Sequence, residues 1–512
     1  MRLQTAQHGR PGARYALGSG EVPSAGQPGP VTANLQRHPS PAPAAVGAPS
    51  PVGRERAGVR AGSWEGAGRA SGPVGPRRAG AALATLLAAG WVSLSAASYR
   101  FPDFGFPPPA SVYSGPLFVL SQDYPTERPD ASRRPSFLET DFKTHWRDYM
   151  MQARSYCFEG NTNVDFRVQG NTVRGWYHMP WQHWGPTGRE GVRGLTKEAP
   201  VNPQQLAPSQ TYVGGQTYAV GFYNEFAGYT IGQVWKDPFK PDLSVTTSPS
   251  EGFPEGTVLF KLLFVDVPTC QVPSLTNAVS WNVYITDTFA SANRSMRTVS
   301  LIQMDLMVKD RRAAPVGWVF GTFQYNGALG PASYTNLVPV GLMWGEDEDL
   351  TTDYYTPFPV KTYINPLLRE TIINPDETEL PPTHLGWNGR LNGPVDNPRS
   401  SCMSCHMTAE FPQLTPMSPL FISPPGKIPA GGSPEWMQWF KNRRCGEPVD
   451  TDALSTDASL QLSESVANFY TWLDDQGGVF SAGDGPTPRK APRILRGGVP
   501  AQVHPVLRGR EP

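Results

Sequence analysis

Charge of one sign is what this sequence most plainly lacks. Across its 512 residues, 44 Lys and Arg are balanced by 44 Asp and Glu, so the chain carries no net field to draw in nucleic acid or an anionic membrane surface. No nucleic-acid partner is expected. Also missing are a Rossmann glycine fingerprint, a phosphate-binding loop, an evident nucleophile triad and an evident frame of paired glycosidase-like carboxylates. Those absences argue against the corresponding nucleotide and hydrolytic chemistries. No repeat of the kind that marks a propeller or solenoid is present. Cysteine and histidine are few, at 5 and 8, so a motif that uses both stands out.

What the chain has in excess is Pro, at 55, and Gly, at 52, much of it gathered in the first 75 residues and the last 30. Such ends do not bury enough apolar surface to pack, and residues 1–75 and 481–512 are expected to be disordered. Residues 76–97 run from Pro-Arg-Arg into AGAALATLLAAGWVSLSAA, with small residues at Ser95 and Ala97. That is the pattern of a secretory signal peptide cleaved after Ala97, leaving a mature start at Ser98. An uncleaved membrane anchor is the alternative, since the apolar run is just long enough to span a bilayer. A cleaved signal leaves no stable membrane span and places the product in the bacterial periplasm or outside the cell. Because a signal normally begins a chain, the start is expected near Val74, with residues 1–75 a misplaced extension or, alternatively, a genuine disordered one.

Residues 98–160 read as a lead-in whose last 20 or so residues are helical, and 161–344 as a mainly antiparallel β domain of sandwich or jelly-roll type. The argument is compositional and periodic. Short runs rich in Val, Thr, Phe, Tyr and Trp, such as GTVLFKLLFVDV and SWNVYIT, are broken every 8 to 15 residues by Gly, Pro or Asn. Val299, Leu301, Gln303, Asp305 and Met307 alternate as a half-buried strand does. Residues 345–383, acidic and then Pro-containing, read as a connector to a small α-helical domain over 384–480.

The motif that carries chemistry lies in that last domain. Cys402-Met403-Ser404-Cys405-His406 is the CxxCH pattern for covalent haem c attachment. Two thiols three positions apart on one helical turn can each reach a haem vinyl group, and the next residue aims its imidazole at the iron. Three other readings compete: a zinc half-site, a dithiol redox pair and a structural disulfide. Zinc would want a second Cys or His pair, yet Cys445 stands alone and the next His is His504. A redox pair would want a thioredoxin-like βαβ setting, which the Pro-rich surroundings do not offer.

Beyond the pentad, the runs LGWNGRLNGPVDNPRSSCMSCH, EWMQWF and SLQLSESVANFYTW, within 384–478, resemble the c-type cytochromes, as the monohaem domain of a secreted bacterial family with no assigned substrate. The resemblance implies one covalent haem c, His406 as proximal iron ligand and a redox partner protein. Leu462, Val466, Phe469 and Leu473 make the apolar stripe of a terminal helix ended by Gly477 and Gly478. Gly389, Gly393, Pro394 and Pro398 break up the long helix that usually leads into the motif. A short helix capped by Asn397 with Pro398 in its first position is expected instead. For the sixth iron ligand the expected residue is Met437, on a helix SPEWMQWFKN capped by Ser433. Met417 in a Pro-flanked loop, His384 and an open or water-bound iron are the alternatives.

The β domain holds a second concentration of chemistry between Arg174 and Glu198. There Trp176, His178, Trp181, His183 and Arg189 could form a loop that binds a glycan, another small molecule or a partner. The plainer reading is that its tryptophans fill the domain edge. Cys157 and Cys270 could be bridged in an oxidising compartment, leaving Cys445 over, although sequence does not fix the pairing. Two functions follow as expectations. One is an exported monohaem cytochrome passing single electrons, its β domain binding a substrate or partner. The other is a redox enzyme subunit acting on a small molecule or glycan with haem as the relay. A haem peroxidase is a third and weaker reading.

Overall fold

A computed structural model describes residues 101–475 except 102, 104, 183–187, 287–292, 356–357, 359–360 and 423–426. The expected signal peptide, both biased ends and His183 lie outside these residues. Runs dense in β-branched and aromatic side chains form the strands, as their pleated, half-buried packing favours. In chain order they are β1 (Trp176–Tyr177), β2 (Thr196–Val201), β3 (Gly215–Asn224), β4 (Val258–Val265), β5 (Ser280–Thr286) and β6 (Arg294–Lys309), followed by β7 (Trp318–Tyr325), β8 (Leu337–Met343) and β9 (Thr371–Ile373). These nine make one sheet with the path β1-β3-β4-β6-β7-β8-β9, with β2 also on β3 and β5 also on β6. Every paired strand is antiparallel. The expectation of a mainly antiparallel β fold is met, but no second large sheet closes a sandwich among the described residues. Helices and loops cover the faces instead. A small pair, β10 (Glu410–Phe411) with β11 (Leu454–Ser455), stands apart.

Four α-helices flank the sheet: α1 (Trp146–Phe158), α2 (Glu225–Val234), α3 (Cys402–His406) and α4 (Leu460–Asp475). In α1, Tyr149, Met150, Ala153, Tyr156 and Cys157 recur at helical spacing and are buried against one sheet face, among Phe222, Phe260 and Leu306. Gly160, at φ 76°, follows the helix in the left-handed conformation that closes many helices. The opposite face, from Tyr223, Leu259, Met307 and Phe320, shares a core with α2, with Met403 and Met407 around α3, and with the α4 stripe. Leu462, Val466 and Phe469 are at most 1 % exposed. Each such side chain contributes roughly 1.5–3 kcal/mol on burial.

The described residues therefore belong to one compact unit, and the boundary expected at 384 falls inside a shared core. The segment read as a connector also joins the fold, since β9 pairs with β8 through Ile373 opposite Gly341. Cys157 and Cys270 are both free, the first buried in the α1 core and the second exposed, so that bridge is not made.

One irregularity decides which side chains face the helices. Between Leu263 and Phe264 of β4, β6 advances two residues, from Gln303 to Leu301, so Ile302 is an extra residue in the ladder. Val299 and Leu301 consequently pack with the α1 core, as do Met304 and Leu306. Gln303, Asp305 and Met307 turn to the other face. The single alternating run expected over 299–307 is thus split by the bulge.

Candidate functional site

The CxxCH pentad forms α3, a single helical turn. Ser401, not Asn397, caps it: the Ser401 hydroxyl accepts from Ser404 N at 2.8 Å, and Ser404 Oγ accepts from Ser401 N at 2.8 Å. The two Ser beside the cysteines give this reciprocal cap, whereas Asn397 makes a turn to Arg399 N. Ser401 Oγ also donates to the fully buried Glu346 at 2.5 Å, and Glu346 pairs with the fully buried Arg390 at 3.2 Å. Arg390 in turn donates to the carbonyls of Glu346, Asp347 and Leu350. A buried, multiply bonded guanidinium of this kind fixes backbone position.

His406 ends the turn. Its Nδ1 meets the Ala458 carbonyl oxygen at 2.8 Å, just ahead of α4, and its ring lies 5.2 Å from that of Phe320. A ring nitrogen held by a backbone carbonyl fixes the tautomer and leaves Nε2 for another partner. Burial lowers its pKa to about 4, so the imidazole is neutral. Burial likewise pushes the Cys405 thiol up to about 12 and the Cys402 thiol well above its usual value. The pair is free and protonated, neither bridged nor a reactive thiolate.

Cys402, Cys405 and His406 line one wall of a cavity of about 510 Å³, within the range of cofactor pockets. Its floor is the sheet. Direct pairing sets Gly221 opposite Lys261, Lys261 opposite Asp305 and Asp305 opposite Thr322, so the four point to one face. Gly221 is the gap in that row: a Cβ built there meets nothing within 4 Å. Met417 and Phe421 close the cavity from the loop after β10, with Leu460 and Gln461 of α4 beside them.

The floor is charged. Lys261 Nζ lies 3.8 Å from Asp305. The Gln303 amide donates to Asp305 at 2.8 Å and to Asp396 at 3.0 Å, bridging two carboxylates. Burial opposes the Lys261 charge, but Glu198, Asp305 and Asp396 outweigh it and hold the ammonium protonated. Burial, and then the Asp396 charge, push Asp305 up to about 7. Sequence reasoning noticed Asp305 only as one step of an alternation. The available signal was a charged residue inside an otherwise apolar strand, Lys261 in VLFKLLFV and Asp305 in SLIQMDLMVK.

The expected distal ligand is placed elsewhere. Around Met437 the helix is only one 3-10 turn, Trp436–Gln438, with Ser433 Oγ accepting from Trp436 N at 3.2 Å. Met437 packs with Trp387, Trp436, Trp439 and Phe440 in a separate aromatic cluster and is not among the cavity residues, whereas Met417 is. His384 is fully buried, its Nε2 on the Asp396 carbonyl at 2.8 Å, and it too is outside the cavity lining.

The Arg174–Glu198 segment is not an exposed recognition loop where it is described. Trp176, His178, Trp181 and Arg189 are each at most 3 % exposed. Trp176 meets Phe260 in the α1 core, and Trp181 lies against Phe469 and Trp472 of α4. His178 Nδ1 accepts from Ser121 N at 2.8 Å, and Arg189 pairs with Asp103. These aromatic and cationic side chains are spent on packing the lead-in and α4 against the sheet. Among the described residues, no group of three or more His, Cys, Asp or Glu side chains could hold a metal ion, and no helix is long and apolar enough to cross a membrane. No family model, no curated protein and no solved structure matches this chain.

Proposed function

We propose that the chain is an exported bacterial c-type cytochrome that carries one covalently bound haem c and passes single electrons to or from a redox partner protein. The observation that carries this reading is the cavity of about 510 Å³ whose wall is made by Cys402, Cys405 and His406, with Met417 in the same lining. A haem brings four of its own nitrogens to iron, so the protein would need to supply only one or two further ligands.

The residues present fit the group. Cys402 and Cys405 would hold it by thioether bonds. The neutral His406, oriented by the Ala458 carbonyl, offers Nε2 as proximal ligand. Met417, which lines the cavity where Met437 does not, would be the thioether that ligates the iron, and a soft thioether raises the potential. Lys261 and Arg399 are the cations in the cavity wall suited to carboxylate substituents. The group supplies one-electron redox chemistry when bound. The sheet floor and α4 would cover part of it, and the Arg390–Glu346–Ser401 chain keeps α3 in place. Export is proposed because CxxCH haem attachment takes place outside the cytoplasm and the signal-like segment ends at Ala97.

The test is a denaturing gel of protein produced with a haem-attachment system, stained for haem peroxidase activity. Wild type shows a stained band, and Cys402→Ala with Cys405→Ala shows none. Wild-type protein without stain ends the cytochrome reading.

A further inference from the structure

We propose that Asp305, tied to Asp396 through the Gln303 amide, takes up a proton when the haem site gains an electron, so that this chain moves protons together with electrons. The proposal rests on the haem reading above. Its own ground is the arrangement of side chains on the cavity floor.

Two carboxylates sharing one amide donor repel each other and are relieved when one of them binds a proton. Asp305 is the one placed to feel the electron. Its Oδ1 accepts from Thr322 Oγ1 at 3.2 Å, and Thr322 Oγ1 lies 3.8 Å from Cys402 Sγ. A run of Asp396, Gln303, Asp305 and Thr322 thus connects the carboxylate pair to the first haem cysteine. Asp396 also accepts from Gly393 N at 2.9 Å. The Asp305 side chain is 24 % exposed where it faces the cavity, so it is not sealed off in the haem-free chain.

Other titratable or charged groups face this pair from the surrounding elements: Lys261 from β4, Glu198 from β2, Arg399 beside α3, and the uncharged His406 and Cys402 from α3 itself. Lys261 is held charged and His406 neutral, so neither titrates near neutrality. Glu464 of α4 is the rival, because burial and then Glu198 push it to about 8. In balance, a bound haem would take one electron from the partner protein, and one solvent proton would convert the Asp305 carboxylate to the acid. The added negative charge raises proton affinity, and the bound proton raises electron affinity by the same factor.

The experiment is a potentiometric titration of the haem absorbance from acid to alkaline pH, with a pH-indicator dye reporting proton uptake on reduction. In wild type the midpoint potential falls as pH rises through neutrality, approaching about 59 mV per tenfold change in proton activity at its steepest. Asp305→Asn flattens that slope and abolishes the dye response, while Glu464→Gln keeps both. A flat wild-type slope overturns the proposal. So does a slope that survives Asp305→Asn, or one lost in Glu464→Gln instead. If Asp305→Asn fails to hold haem, the reduced-minus-oxidised infrared spectrum of wild type decides: a carboxyl group gained on reduction and lost in Asp396→Asn supports the pair, and no gained carboxyl overturns it. Wild type without covalent haem overturns the cytochrome reading itself, which the stained gel detects separately.

Discussion

At the scale of single residues, the site turns on which methionine reaches the cavity. Met417 and Met437 are both thioethers near aromatic neighbours, but Met437 is enclosed by Trp387, Trp436, Trp439 and Phe440. Met417 lies in the cavity lining together with His406. In oxidised protein the weak long-wavelength absorption of methionine-to-iron bonding should therefore vanish in Met417→Ala and persist in Met437→Ala. The Met417→Ala potential should also fall, since a distal thioether raises it. Met437→Ala should instead lose about 2–5 kcal/mol of stability through the void it leaves among the tryptophans. A band lost only in Met437→Ala would reverse the assignment.

At the scale of elements, the cavity exists because the sheet presents an unusual row. Gly221, Lys261, Asp305 and Thr322 come from four strands and meet only through strand pairing. Filling the gap tests whether the cavity is the cofactor site. In Gly221→Leu, the new side chain should enter open space and cut covalent haem several-fold. The haem-free chain should be stabilised by up to about 1 kcal/mol, as expected when a strand glycine is replaced without strain. Haem content measured by pyridine haemochrome and thermal unfolding of the haem-free protein check the two halves; undiminished haem would place the cofactor elsewhere. What sequence made legible follows the same division. The CxxCH turn and the Leu462, Val466, Phe469 and Leu473 stripe are local patterns, and both appear as read. The floor was not legible, because register joins residues as much as about 100 positions apart in sequence. The surroundings of Met437 were hidden for a related reason: its own helix-like spacing pointed to a core, and distant Trp387 determined which core.

At the scale of the whole molecule, the CxxCH turn is part of the sheet's own core rather than a module tethered to it. Met403 and Met407 pack beside Tyr223, Met307 and Phe320, and α4 reaches across to Trp181 and Trp235. Unfolding followed by tryptophan fluorescence and by haem absorbance should therefore give coincident transitions in denaturant. Two separated midpoints would instead reveal an independent haem domain. The bulge at Ile302 bears on inheritance. Losing that one codon in frame would make Leu301 and Gln303 neighbours on opposite faces, as a regular ladder requires, and every other side chain of β6 would keep its face. Asp305 and Met307 would still line the cavity, and Leu301 and Met304 would still pack with the α1 core. A descendant carrying that deletion would be one residue shorter in its longest strand and still keep the floor on which CxxCH and Met417 act, so a gap at that position in an alignment would not mark a lost site.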